Sequence, residues 1–115
     1  MTRGEVYWAE LSPRSGSEQR GRRPVIVVSH DAFNQSPGWH SLIVVPVSTS
    51  PAQRDRGPST VPLASGTAGL RKPCVAVCHQ VTTLDRSKIL TRIGMLSRAS
   101  LTRVAEGLKA ALDIE

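Results

Sequence analysis

The apolar residues of this chain come in short, β-branched runs, each cut off by proline, glycine or serine. Residues 24–29 (PVIVVS) and 41–48 (SLIVVPVS) are too short for helices and too apolar for loops, so both read as buried strands. Residues 4–11 (GEVYWAEL) form a third strand on the strength of Val6, Tyr7 and Trp8, and residues 74–82 (CVAVCHQVT) a fourth. Shorter strands are expected at 59–63 and 90–93, and Pro46 predicts an edge or bulge near the end of its run. Residues 12–22, 51–58 and 64–73 are loops by their glycine, proline and serine content, with one helical turn at 31–34 and a turn at 85–87. The period changes at the end of the chain. Ser97 is a helix cap, after which Leu101, Val104, Ala105, Leu108, Ala111 and Leu112 recur at 3.6 residues. Strand after short strand, then one amphipathic helix, predicts a mainly β fold: a small antiparallel β-barrel with helical additions.

A chain of 115 residues has room for one domain with a core able to fold unaided, and 1–115 shows no repeat or linker that would divide it. Aromatic residues are only 3% of the chain, so valine, isoleucine, leucine and alanine must build that core. Neither a signal-peptide h-region nor a run near the ~18 apolar residues of a membrane span is present, and a cytoplasmic protein without membrane contact is expected. Cys74 and Cys78 lie four residues apart. On one strand that is about 13 Å at ~3.3 Å per residue, too far for a disulfide, so both read as small buried hydrophobes.

The net charge of +6 implies a positive field over part of the surface, which speeds encounter with polyanions. The charge is concentrated: Arg14, Arg20, Arg22 and Arg23 fall within a Gly/Ser-rich loop that also carries Ser17, Glu18 and Gln19. A guanidinium fork matches two phosphate oxygens at once. Arg23 differs from its neighbours because Pro24 biases it toward extended backbone at the mouth of a rigid strand. A second strand ends in three hydroxyls, Ser48, Thr49 and Ser50, and alternation sets Ser48 and Ser50 on one side and Thr49 on the other. Gln80 and His79 close the fourth strand and could line the same rim. His30, His40 and His79 have no spacing that fixes an acid–base pair, and the aspartates are scattered without a metal-binding motif. No metal or other cofactor is expected.

Residues 3–8 (RGEVYW), 11–13 (LSP), 16–19 (GSEQ), 21–29 (GRRPVIVVS) and Asn34 resemble the N-terminal half of the MazF/PemK family of toxins. Residues 45–49 (VPVST) resemble that family's strand ending in a hydroxyl, and 80–85 (QVTTLD) and 93–97 (IGMLS) resemble its C-terminal half. The likeness runs in order along almost the whole chain. It implies an SH3-like barrel, a homodimer, and a ribosome- and metal-independent endoribonuclease that cuts single-stranded RNA at a short sequence. It also implies a MazE-like antitoxin whose extended acidic segment covers the RNA groove. The family's catalytic arginine falls on Arg23, and its catalytic threonine on Ser48, or on Thr49 if the alignment slips by one. His79 stands where the family often has an acid, so that acid's role does not carry over.

The chemistry that fits is attack of the RNA 2′-hydroxyl on its own phosphate, leaving a 2′,3′-cyclic phosphate and a 5′-hydroxyl. Arg23 would neutralise charge on the phosphorane, Ser48 or Thr49 would donate to a non-bridging oxygen, and Glu18 is a candidate base. Arg14, Ser17, Gln19, Arg20 and Arg22 of the first loop, Arg54 and Arg56 of the second, and Gln80 are expected to bind RNA. Two other readings share the fold or the charge: a CcdB-type toxin that inhibits DNA gyrase, and a plain RNA-binding module. The C-terminal tryptophan of the CcdB type is absent from the ending ALDIE.

Overall fold

The central strands bury both faces, which is why their sequences are apolar without interruption. In the computed structural model, which describes residues 1–12, 16, 21–50 and 57–115, seven strands and two α-helices follow in the order β1 (Glu5–Glu10), β2 (Arg22–Val27), α1 (Asp31–Asn34), β3 (Ser41–Ser48), β4 (Thr60–Leu63), β5 (Cys74–Val77), β6 (Thr82–Asp85), β7 (Ile89–Met95) and α2 (Arg98–Leu112). Pleating sends Ile26, Val45 and Val47 to one core with Val6, Val61, Leu63, Ala76 and Val104. The alternate residues Val25, Val27, Leu42 and Val44 join Ala9, Leu11, Leu84 and Ile89 in a second core on the opposite face.

The strands are antiparallel in the order β4-β5-β3-β2-β1-β7, with β6 also on β3. The mainly β architecture with a C-terminal helix is the one expected. The sheet is open rather than a closed barrel, because β4 and β7 end the order without pairing each other among the described residues. Pro46 sits opposite Val25, at the last rung between β2 and β3. Along its other edge, β3 pairs with β6 through Val44 and with β5 from Val47. The sheet therefore divides where the proline falls, and the ends of β2 and β3 are no longer paired with each other.

The run 74–82 is not one strand. It breaks into β5, a 3-10 turn at Cys78–Gln80 and β6, so Cys78 lies on the turn rather than on a strand face with Cys74. Both cysteines are buried and free. Helix α2 starts where Ser97 Oγ accepts from the Ser100 amide at 3.1 Å and ends at Asp113 in left-handed conformation. Leu101, Val104, Leu108 and Ala111 pack on the first core, whereas Leu112 is exposed. The helix comes close because Gly107 has no side chain: a Cβ there would lie 2.8 Å from both Cys78 Sγ and Val61 Cγ2.

A second close approach shapes the site. The 3-10 turn Thr67–Gly69 presses on β7, and a Cβ on Gly94 would lie 2.2 Å from the Ala68 carbonyl oxygen. Gly69 has φ +81° and its own missing Cβ faces the Ile93 carbonyl at 2.8 Å. These two glycines let the turn deliver Leu70, Arg71 and Lys72 beside β7.

Elsewhere the loop 33–39 is stapled by Arg86, whose guanidinium donates to the carbonyls of Trp39, Phe33 and Asn34 at 2.5, 3.0 and 2.8 Å. Buried Asn34 donates to the Ser29 carbonyl at 2.8 Å and to Asp31 Oδ1 at 2.9 Å, and Arg3 N donates to the same carboxylate oxygen at 2.7 Å. Those bonds, the Arg3 amide first and then Asn34, hold the Asp31 carboxyl below its ordinary range.

Candidate nucleic-acid interface

Where β2 and β3 part, a cavity of about 590 Å³ opens at the end of the first core. Its floor is apolar, with Pro24, Val47, Leu70 and Cys74. Its polar lining among the described residues is cationic: Arg23, Arg71, Lys72 and Arg92, with the hydroxyls of Thr49 and Thr91. No carboxylate belongs to that lining. A cleft of this kind raises the local concentration of an anionic ligand and strengthens each contact by partly excluding water.

Each polar group arrives by a separate structural cause. Arg23 opens β2 opposite Ala9 of β1, one residue before the proline that fixes its backbone, and is exposed. Thr49 follows β3 and is exposed on the same side as Val47, as the alternation predicts. Ser48 points the other way: it is buried at 4% exposure, and its Oγ accepts from the Ser50 amide at 3.0 Å. Of the two hydroxyls left open by the sequence, Thr49 shares the cavity with Arg23. Arg92 leans on Glu5, Nε to Oε2 2.5 Å. Desolvation pushes the Glu5 carboxyl upward, but bonds from Arg92, the Thr2 amide and the Tyr7 hydroxyl outweigh it and hold the carboxyl below its ordinary value.

The base of the arginine loop is fixed. The Leu11 amide donates to the Gly21 carbonyl at 2.8 Å, and the Gly21 amide to Ser12 Oγ at 3.0 Å, with Gly21 at φ +75°. Arg22, the first residue of β2, is exposed beside the cavity and lines a smaller cleft with Trp8. Arg14, Ser17, Glu18, Gln19, Arg20, Arg54 and Arg56 lie outside the described residues. Gln80 is half-buried in the 3-10 turn after β5 and is not part of the cavity lining. His79, on the same turn, lies 3.1 Å by Nδ1 from Ser59 Oγ, and His30 caps α1 by accepting from the Ala32 amide at 2.9 Å. The three histidines are exposed and not gathered at the cavity.

Sequence reasoning missed Arg71, Lys72 and Arg92. The adjacent basic pair after a glycine-rich turn was the available signal for the first two. Nothing in the sequence marks Arg92, because only the pairing of β7 with β1 brings it to the cavity.

A small, open antiparallel β fold with a C-terminal helix and a cationic cavity lined by an arginine and a hydroxyl defines the class of the domain. Residues 2–112 match the model of the PemK-like, MazF-like toxins of type II toxin–antitoxin systems, and the chain belongs to that family. It is 36% identical over 117 residues to endoribonuclease MazF9 of Mycobacterium tuberculosis, covering 99% of this chain and 98% of that one. It is 32% identical over 114 residues to endoribonuclease EndoA of Bacillus subtilis, covering 99% and 96%. Among solved structures, MazF of Deinococcus radiodurans superposes with a TM-score of 0.78 at 28% identity, covering 99% and 97%. A MazE–MazF complex from the same organism gives 0.71 at 27%, covering 100% and 97%. No helix among the described residues is long and apolar enough to cross a membrane.

Proposed function

We propose that this chain is a toxin endoribonuclease that cuts single-stranded RNA in the cavity between β2 and β3, without a metal ion. The observation that carries the reading is the meeting of Arg23 and Thr49 in one cationic cleft, on a chain whose relatives are named endoribonucleases. The RNA supplies its own nucleophile: the 2′-oxygen bonds to the adjacent phosphorus, the 5′-oxygen leaves and takes a proton, and the products are a 2′,3′-cyclic phosphate and a 5′-hydroxyl. Arg23 balances the charge that builds on the phosphorane, and Thr49 Oγ1 donates to a non-bridging oxygen. Arg71, Lys72 and Arg92 hold the flanking phosphates. Glu18 is the candidate acceptor for the 2′-proton. Arginine is unsuited to that task because its guanidinium stays protonated in proteins.

Arg14, Ser17, Gln19, Arg20, Arg22, Arg54, Arg56 and Gln80 make the further RNA contacts that choose the sequence. The working form is a homodimer, and its inhibitor is an antitoxin with an acidic segment that occupies the same positive surface. Solved complexes of MazE with MazF support an antitoxin partner. The test is incubation of purified protein with a long structureless RNA in EDTA, followed by mapping of the cuts and their end groups. Cuts at one short motif bearing cyclic-phosphate and 5′-hydroxyl ends are expected, and intact RNA would overturn the reading.

A further inference from the structure

We propose that Trp8 is the stacking platform for one RNA base beside the scissile phosphate, held in the small cleft that Trp8 shares with Arg22, Leu90 and Thr91. The inference rests on the RNA-cutting reading above and adds a specificity residue to it.

Trp8 lies in the middle of β1, between Val6 and Ala9, which are fully buried, yet it is 41% exposed. The ladder beside it is irregular. Tyr7 pairs with Arg92 and Ala9 with Ile89, so two steps on β1 match three on β7. The extra residue is a β-bulge at Leu90–Thr91, a device that breaks the pairing and redirects side chains next to sites. Beside that bulge is a cleft of about 190 Å³ lined by Trp8, Arg22, Leu90 and Thr91. That is below the roughly 300–1,000 Å³ of drug-sized pockets and suits a single small group.

Trp8 and Thr91 line this cleft and also the cavity that holds Arg23 and Thr49. A nucleotide whose phosphate meets Arg23 therefore has an aromatic face and an apolar side chain within reach of its base. Every base offers a π-face to an aromatic ring, and the Arg22 guanidinium can stack or donate to a base edge. The other large aromatics are engaged elsewhere: Phe33 and Trp39 stack on each other at 4.6 Å, and Tyr7 packs on the second core with its hydroxyl on Glu5. The bulge thus opens a base subsite in the strand ladder itself, apart from the loops expected to choose sequence.

The chain has two tryptophans, so Trp39→Phe leaves Trp8 as the sole indole emitter. Titrating that variant with a mixed-sequence, fully 2′-O-methylated single-stranded RNA should quench Trp8, with binding followed separately by anisotropy of labelled RNA. On a cleavable oligonucleotide spanning a mapped cut site, Trp8→Ala should raise KM roughly 5- to 150-fold, the range of one lost base stack. It should also relax base preference at one position flanking the cut, and Trp8→Phe should restore most of both. An abasic nucleotide at that position should abolish the quench, while abasic sites elsewhere should not. Binding without any change in Trp8 emission, or a Trp8→Ala protein with unchanged KM and cut-site preference, would overturn the subsite. RNA left intact by the wild-type protein would instead overturn the nuclease reading, and quenching by the methylated RNA would still support the subsite.

Discussion

At the scale of single residues, the proposed cleavage depends on which hydroxyl shares the cavity with Arg23. Thr49 lines the cavity, and Ser48 is buried with its oxygen accepting from the Ser50 amide. The two alanine variants should therefore separate. Thr49→Ala and Arg23→Ala should each lower single-turnover cleavage by about 10²–10³. Both side chains are exposed, so their melting curves should stay near wild type. Ser48→Ala should do the reverse, costing about 1 kcal/mol of stability through the lost hydrogen bond while cleavage persists. Alternation along a strand was enough to predict that Ser48 and Thr49 point apart. It could not say which side held Arg23, because that depends on where β3 parts from β2. The loop arginines were legible as a cationic cluster, but Arg92 was not. It pairs with Tyr7 only through long-range contact of β7 with β1.

At the scale of elements, the short apolar runs located β1, β2 and β3, and the change to a 3.6-residue rhythm located α2. Residues 74–82 misled because an apolar run reports burial, and a 3-10 turn carrying buried Cys78 is as apolar as a strand. Close backbone contacts were equally silent in the sequence, where Gly94 is simply a glycine. In the fold it lets the Thr67–Gly69 turn reach β7, and that turn carries Arg71 and Lys72 to the cavity. Gly94→Ala should destabilise the protein by about 1–3 kcal/mol and raise KM for RNA together. Gly38→Ala, with nothing within 4 Å of the added carbon, should change neither. Denaturant melts and steady-state cleavage on the same preparations check both.

Cys78 ties helix α2 to the sheet, with Sγ donating to the Val104 carbonyl at 3.6 Å. Burial pushes its thiol up to about 11 from an ordinary value of 9.0. Below pH 9 the thiol is protonated whether the chain is folded or unfolded, so this group adds no pH dependence there. Above pH 9 the unfolded chain releases the proton first, so stability should fall from about pH 9 and continue to fall through about 11. Iodoacetamide at pH 7.5 should leave Cys78 unlabelled in the native protein and label it in denaturant, and peptide mass mapping reads both outcomes.

For the whole molecule, the open sheet presents a cationic cleft at the place where β2 and β3 stop pairing. In the proposed reaction the charge holds the RNA, and the RNA supplies its own nucleophile. The direct measurement is cleavage in EDTA of two oligonucleotides that span a mapped cut site and differ only in the sugar at the scissile nucleotide, ribose in one and 2′-deoxyribose in the other. The ribose substrate should be cut to a 2′,3′-cyclic phosphate while the deoxy substrate binds and stays intact. Cleavage of the deoxy substrate, or loss of ribose cleavage in EDTA that added Mg²⁺ restores, would contradict it.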